Sequence, residues 1–169
     1  MLHSKVGLIG FSGSGKSAVI SKAALRGYKV VDTDLIISET EGSFPDSMLL
    51  DGKEKEFRKL EAVAVRTALS TDVDFIAFGG GVHSANPVFK EIVNSGVKLV
   101  FLKGSFDVVF QRAWDRPLFK KLGLAGYRKL FEEREPFYLK ASEYIVDVDK
   151  KTLEDVFEEV EKIWNLTFR

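Results

Sequence analysis

Short apolar runs rich in Val, Ile and Phe recur at residues 5–9, 28–31, 74–78, 98–102 and 144–148, separated by longer stretches. Runs of four or five residues without polar alternation are the pattern of strands covered on both faces. Helical periodicity fills much of the space between them. One helix is expected to begin in the glycine-rich segment after the first run and to reach about Leu25, with Gly27 as its stop. Others are expected over 53–69, 86–94, 105–114, 127–141 and 152–164. In the last of these, Thr152 and Asp155 have the spacing of a capping box, and Val156, Val160 and Ile163 form one apolar stripe. Strand–helix alternation of this kind builds βαβ units, hence an α/β fold with a parallel sheet between two helical layers. Two segments depart from the alternation. Residues 33–52 are too long for one connection and are expected to form short helices over the sheet edge. Residues 115–126 are polar, carry glycines and lack a period, so a mobile loop is expected there. Pro136 is expected to kink or interrupt the helix around it.

A length of 169 residues suits a single domain spanning 1–169. Twenty-five Lys and Arg balance twenty-five Asp and Glu, so no net field exists to hold nucleic acid or an anionic membrane surface. The absence of cysteine excludes disulfides, thiolate metal sites and a Cys nucleophile. The apolar run at 6–9 is too short for a signal peptide, and no stretch approaches the ~18 apolar residues of a membrane span. A cytoplasmic monomer is the expectation.

The first strand runs directly into Gly10-Phe11-Ser12-Gly13-Ser14-Gly15-Lys16-Ser17, which satisfies the phosphate-loop pattern G-x-x-x-x-G-K-[ST]. Glycines let several backbone N–H groups face one phosphate, and the helix that follows adds its positive end. Lys16 is expected to reach the β- and γ-phosphates of ATP, with the Ser17 hydroxyl on Mg²⁺. Asp32-Thr33-Asp34 follows the second strand and opens onto the same crevice. One carboxylate could order Mg²⁺ and the other accept a proton, or Asp34 could simply cap the next helix. Gly79, Gly80 and Gly81 follow the third run, where they either let a ligand lie on the backbone or form a flexible turn. Arg58 stands four residues after Glu54, so an ordinary helix-surface ion pair competes with a role in binding. Arg116 precedes Pro117 in the suspected lid, and Arg134 opens Arg134-Glu135-Pro136-Phe137-Tyr138. Neither His3 nor His83 has a carboxylate or second histidine at ligand spacing, and both read as non-catalytic.

Taken in order, these segments resemble shikimate kinases over nearly the whole chain. The resemblance rests on the phosphate loop, Asp32-Thr33-Asp34, Phe57-Arg58 followed by Glu61, the three glycines, Arg116-Pro117-Leu118, and residues 134–138 ending at Ala141. It implies a five-stranded parallel sheet of the nucleoside-monophosphate-kinase type and transfer of the ATP γ-phosphate to the 3-hydroxyl of shikimate. It also implies nucleotide contacts from Gly13, Ser14, Gly15, Lys16, Ser17, Ala18, Arg112 and Arg116, and Mg²⁺ held through Ser17 and Asp32. Arg58 and Arg134 would hold the acceptor carboxylate, with Asp34 and Gly79, Gly80 and Gly81 lining the same pocket. Lys16, Asp34 and Arg116 would be the catalytic set. A substrate-binding insertion would occupy about 33–60 and a short lid about 112–124. The stretch Gly52-Lys53-Glu54-Lys55-Glu56 before Phe57-Arg58 departs locally from the family pattern. Other readings remain open: a phosphate-loop kinase for gluconate or a nucleoside monophosphate, or a non-catalytic ATP-binding regulatory domain. A GTPase switch is disfavoured because no Asn-Lys-x-Asp motif is present.

Overall fold

A computed structural model describes residues 5–42, 45–83 and 86–167. Five strands form one parallel sheet: β1 (Val6–Ile9), β2 (Val30–Asp32), β3 (Phe75–Ala77), β4 (Lys98–Lys103) and β5 (Tyr144–Asp147), in the order β2-β3-β1-β4-β5. Each lies within two residues of the expected run at either end. Neighbours are in parallel register throughout, with Val6 opposite both Phe75 and Lys98.

The two-residue period of the strands divides the core into two layers. Val6, Leu8, Phe75, Ala77, Val100 and Leu102 point to one side, where they pack with α1 (Lys16–Leu25) and α8 (Leu153–Thr167) through Val19, Ile20, Val156, Phe157 and Val160. Ile9, Ile76, Leu99 and Phe101 point to the other, against α4 (Glu54–Ser70), α5 (Phe89–Asn94), α6 (Phe106–Ala113) and α7 (Pro117–Ala141). The expected capping box starts α8: Thr152 N–H donates to Asp155 Oδ2 at 2.9 Å, and Asp155 N–H returns to Thr152 Oγ1 at 3.2 Å.

Residues 33–52 form α2 (Thr33–Glu41) and α3 (Pro45–Leu50), as expected. With α4 they enclose a small separate core of Ile37, Met48, Phe57 and Ala64, which sets this segment over the β2 edge of the sheet.

Two expectations fail. Most of residues 115–126 is helical, because Pro117 at the first position starts α7 early and Leu118 and Phe119 pack on the core. Pro136 does not interrupt α7 either. The helix keeps its backbone angles there, and the break falls at Gly123 (φ 65°, ψ 178°). Both Pro136 and Glu132, whose carbonyl loses its partner, lie on the exposed side, so water can satisfy that group.

Candidate active site

The order of the strands decides what meets what. Because β3 lies beside β1, the glycines after β3 sit against the phosphate loop after β1. A Cβ added to Gly80 would lie 3.2 Å from the Ser12 nitrogen. A cleft of about 390 Å³ opens there, lined by Gly13, Gly15, Lys16, Ser17, Ala18, Asp32, Asp34, Arg58, Gly80, Gly81, Arg112, Arg116 and Arg134 among others. Thus nearly every residue singled out in the sequence reaches one cavity. The exceptions are Gly79, which backs onto it, and Ser14, whose buried side chain turns inward while its N–H donates to the Phe11 carbonyl at 3.1 Å.

In the phosphate loop, Gly13 has φ 93°, and a Cβ there would come within 2.5 Å of the Val109 carbonyl oxygen. Only glycine allows that approach. Lys16 is buried, and its ammonium donates to the carbonyls of Gly10 at 2.7 Å and Phe11 at 3.2 Å. Burial brings its pKa down to about 8, against the opposing pull of Asp34 and Asp32, while Arg116 and Arg134 add to the lowering.

Asp32, rather than Asp34, caps α2. Its Oδ1 accepts the N–H groups of Asp34 at 2.9 Å and Leu35 at 3.4 Å, while its Oδ2 accepts the Ser17 hydroxyl at 2.6 Å. One carboxylate therefore both starts the helix and pairs with the hydroxyl expected at the metal. Asp34, in the first turn, lies against Gly79, where a Cβ would come within 2.5 Å of Asp34 Oδ1. Its carboxyl is pushed up to about 6 by burial and by the charge of Asp32, with Lys16 opposing. A carboxylate poised there has the basicity to take a proton from a hydroxyl near neutral pH.

Arg134 and Arg58 are both moored on the glycines. Arg134 Nη1 donates to Gly80 O at 2.9 Å, as does Tyr138 OH at 2.7 Å, and Arg58 Nη1 reaches Gly81 O at 3.4 Å. Arg58 pairs with Glu54 at 3.7 Å, yet its closer partner is Glu61 at 2.8 Å. The surface-pair reading is thus present but subordinate. Arg116 Nη1 donates to Ser12 Oγ, so the arginine before α7 touches the phosphate loop, and Arg112 lies beside Gly15.

Hard oxygen donors at Ser17 and Asp32 fit a divalent cation such as Mg²⁺, which commonly takes one or two protein oxygens and completes its shell with water and phosphate. Among the described residues no group of three or more His, Cys, Asp or Glu forms a self-sufficient metal site, consistent with that mode. His3 lies outside the described residues. His83 is brought down to about 4 by burial and the nearby cations Arg134 and Arg58, so it is neutral at ordinary pH.

The shikimate kinase family model matches residues 12–164, a span that takes in the phosphate loop from Ser12 onward, Asp32, Asp34, the three glycines and the four arginines. The chain belongs to the shikimate kinase family. It is 35% identical over 163 residues to a shikimate kinase of Caldanaerobacter subterraneus subsp. tengcongensis, covering 90% of this chain and 91% of that one. A crystal structure of shikimate kinase from Aquifex aeolicus is 30% identical with a TM-score of 0.76, covering 94% of each chain. Shikimate kinase from Acinetobacter baumannii in complex with shikimate has a TM-score of 0.82 at 23% identity, covering 95% of this chain and 92% of that one, a likeness of fold. No described helix is long and apolar enough to cross a membrane.

Three residues at this shikimate kinase family site carry no assigned role in the sequence reading. Asp46 lines the cleft, its carboxyl raised by burial and held back by Arg116 and Arg134. Glu61 is buried beneath Arg58, and Asn86 donates to it. The i,i+3 spacing of Arg58 and Glu61 was the only local signal for any of them.

Proposed function

We propose that this chain is a shikimate kinase, transferring the ATP γ-phosphate to the 3-hydroxyl of shikimate to give shikimate 3-phosphate and ADP, a step of aromatic amino-acid synthesis. The observation that carries this reading is the meeting, in one cleft, of the phosphate loop, the Asp34 carboxylate and two arginines moored on Gly80 and Gly81. A phosphate donor, a proton acceptor and a cationic clamp for a carboxylate are what phosphorylation of a carboxylated polyol requires.

In this reading Arg58 and Arg134 hold the acceptor carboxylate, for which the guanidinium fork is suited. Asp34 orients the reacting hydroxyl and takes its proton. Lys16 and Arg116 neutralise charge on the moving phosphoryl group, and such positioning and charge stabilisation supply most of the acceleration in phosphoryl transfer. Mg²⁺, held by Ser17 and Asp32, would supply further neutralisation of the phosphates. The nucleotide lies along Gly13, Gly15, Lys16, Ser17 and Ala18, with its base in the adjoining groove of about 180 Å³ between Arg112 and the Lys151-Thr152 turn. Ser14, absent from the main cleft, lines this second groove. Residues 33–60 serve as the acceptor-binding segment and 112–124 as the lid. Every group comes from one chain, so a monomer suffices.

The test is ADP release with ATP and Mg²⁺ in the presence of shikimate, gluconate, AMP, CMP or no acceptor. Stimulation by shikimate alone is expected. Stimulation by a different acceptor, or by none while ATP still binds, would overturn the assignment.

A further inference from the structure

Asn86 lies on the loop between β3 and α5, 25 positions from Glu61, and has no place in the phosphate loop or in either arginine. We infer that Asn86 is a positioning residue of the acceptor clamp: its amide holds the buried Glu61 carboxylate, and through Glu61 it fixes the direction of the Arg58 guanidinium. This rests on the assignment of Arg58 to the acceptor carboxylate.

The geometry leaves Asn86 little freedom. Its Oδ1 accepts the Val88 N–H at 3.1 Å, its own N–H donates to His83 O at 2.8 Å, and its carbonyl accepts the Phe89 N–H at 3.0 Å. A flipped amide would lose the Val88 bond and set one oxygen against another, so the NH2 group must face Glu61. Nδ2 donates to Glu61 Oε2, the same oxygen that accepts Arg58 Nη1 at 2.8 Å. Asn86 and Glu61 are both almost fully buried. A buried carboxylate tends to take up a proton, and two donors on one oxygen oppose that tendency. Glu61 shows both influences, raised by burial and drawn back by Arg58 and by Asn86. A neutral Glu61 would lose its charge-assisted grip on Arg58, whose side chain is about one-third exposed and whose other contacts among the described residues are the Gly81 carbonyl, the exposed Glu54 and the Phe57 ring.

Space around the pair is fixed as well. A Cβ on Gly81 would lie 2.7 Å from Arg58 Nη1 and 3.0 Å from Glu61 Oε1. Asn86 thus ties the loop after the three glycines to α4, and both walls of the acceptor pocket move together. The charged and titratable groups facing Glu61 are Arg58 on α4, Arg134 and Tyr138 on α7, and Asp34 on α2; His83, on the same loop as Asn86, feels Arg134 and Arg58.

Three variants test this by steady-state kinetics across pH. Asn86→Ala should raise KM for shikimate about tenfold, the effect of losing one hydrogen bond to a charged group, with KM for ATP within about twofold. In an Arg58→Ala background the same change should add nothing further, because Asn86 acts through Arg58. Asn86→Asp keeps the shape and the Val88 bond, which preserves the loop even should the alanine variant misfold. It places two carboxylates together, so its KM for shikimate should be worst near pH 8 and recover as pH falls and a shared proton restores the donor. Asn86→Ala should show the opposite trend, with KM climbing as pH falls because Glu61 protonates more readily. Equal effects on both substrates, additivity with Arg58→Ala, or a flat pH response of Asn86→Asp would overturn the inference. Should Arg58→Ala alone leave KM for shikimate unchanged, the assignment of Arg58 falls first and this inference falls with it.

Discussion

Asp34 sits where burial and function pull in opposite directions. Its folded pKa, about 6, lies above the ordinary carboxylate value, so the ionised form is disfavoured by folding. Its favourable contribution to stability is therefore full below the unfolded pKa and is lost as pH rises through about 6. Asp34→Asn should then stabilise the fold by on the order of 1–3 kcal/mol near pH 8, and by almost nothing near pH 4. The same change should lower kcat by a factor on the order of 10² or more. Urea midpoints at the two pH values, read beside the kinetics, check both halves; a variant less stable near pH 8 would contradict the burial argument. In the wild type, kcat/KM for the acceptor should rise with pH through about 6 as Asp34 loses its proton. Lys16→Ala removes the buried ammonium beside the phosphate site, and turnover should fall by roughly 10³ with the circular dichroism spectrum unchanged. Retained turnover would sink the phosphate-loop mechanism. Residues of this kind were legible in the sequence because their chemistry is written in local spacing: Lys16 follows Gly15, and Asp34 stands two residues after Asp32, which ends a strand. Asp46 and Asn86 are different, and Glu61 shows locally only its i,i+3 spacing from Arg58. Their roles come from burial and from partners up to 88 positions away, as with Asp46 and Arg134, which local spacing does not report.

At the scale of elements, α7 shows what period and composition miss. Strands were readable because the runs are short, rich in Val, Ile and Phe, and set between longer stretches of helical period. The first turns of α7 were not, since Gly123 and Gly126 interrupt the apolar stripe and Lys120 and Lys121 dilute it. What makes the segment helical is Pro117 at its start and contact with the rest of the protein. Leu118 and Phe119 join the core, and Lys121 Nζ donates to the Leu49 carbonyl of α3 at 2.8 Å. Gly123 then redirects the chain with φ 65° and ψ 178°, a conformation open almost only to glycine, although a Cβ there would meet nothing within 4 Å. Gly123→Ala should therefore introduce pure backbone strain of about 1–3 kcal/mol. The molecule can meet it by losing stability, at about 2–4 °C in Tm per kcal/mol, or by straightening α7 and lifting Leu118 and Leu122 off the cleft. Either way kcat or Tm must fall. A variant unchanged in both would show that the turn at Gly123 is not required.

Across the whole molecule, donor and acceptor halves of the cleft are not independent. Strand order places the glycines after β3 against the loop after β1, with Gly80 on the Ser12 nitrogen. Arg116 reaches from the start of α7 to Ser12, while the same first turns of α7 rest on α3 through Lys121 and Leu49. The electrostatics run the same way: Lys16 feels Asp34 on α2 together with Arg116 and Arg134 at the start and in the body of α7. A nucleotide that engages the phosphate loop and Arg116 is expected to order α7 as well, and with it the wall of the cleft that carries Arg134. A non-hydrolysable ATP analogue should accordingly tighten shikimate binding by a factor of about five or more, within the usual range of coupling between sites. Linkage requires shikimate to tighten binding of the analogue by the same factor, which gives isothermal titration calorimetry an internal check. Arg116→Ala should bring both factors towards one, because it removes the side chain that joins lid to loop. Equal factors in wild type and variant would place the coupling in the contact between Gly80 and Ser12. A wild-type factor of one would mean that the two halves of the cleft bind their ligands separately, and that closure of residues 112–124 follows neither.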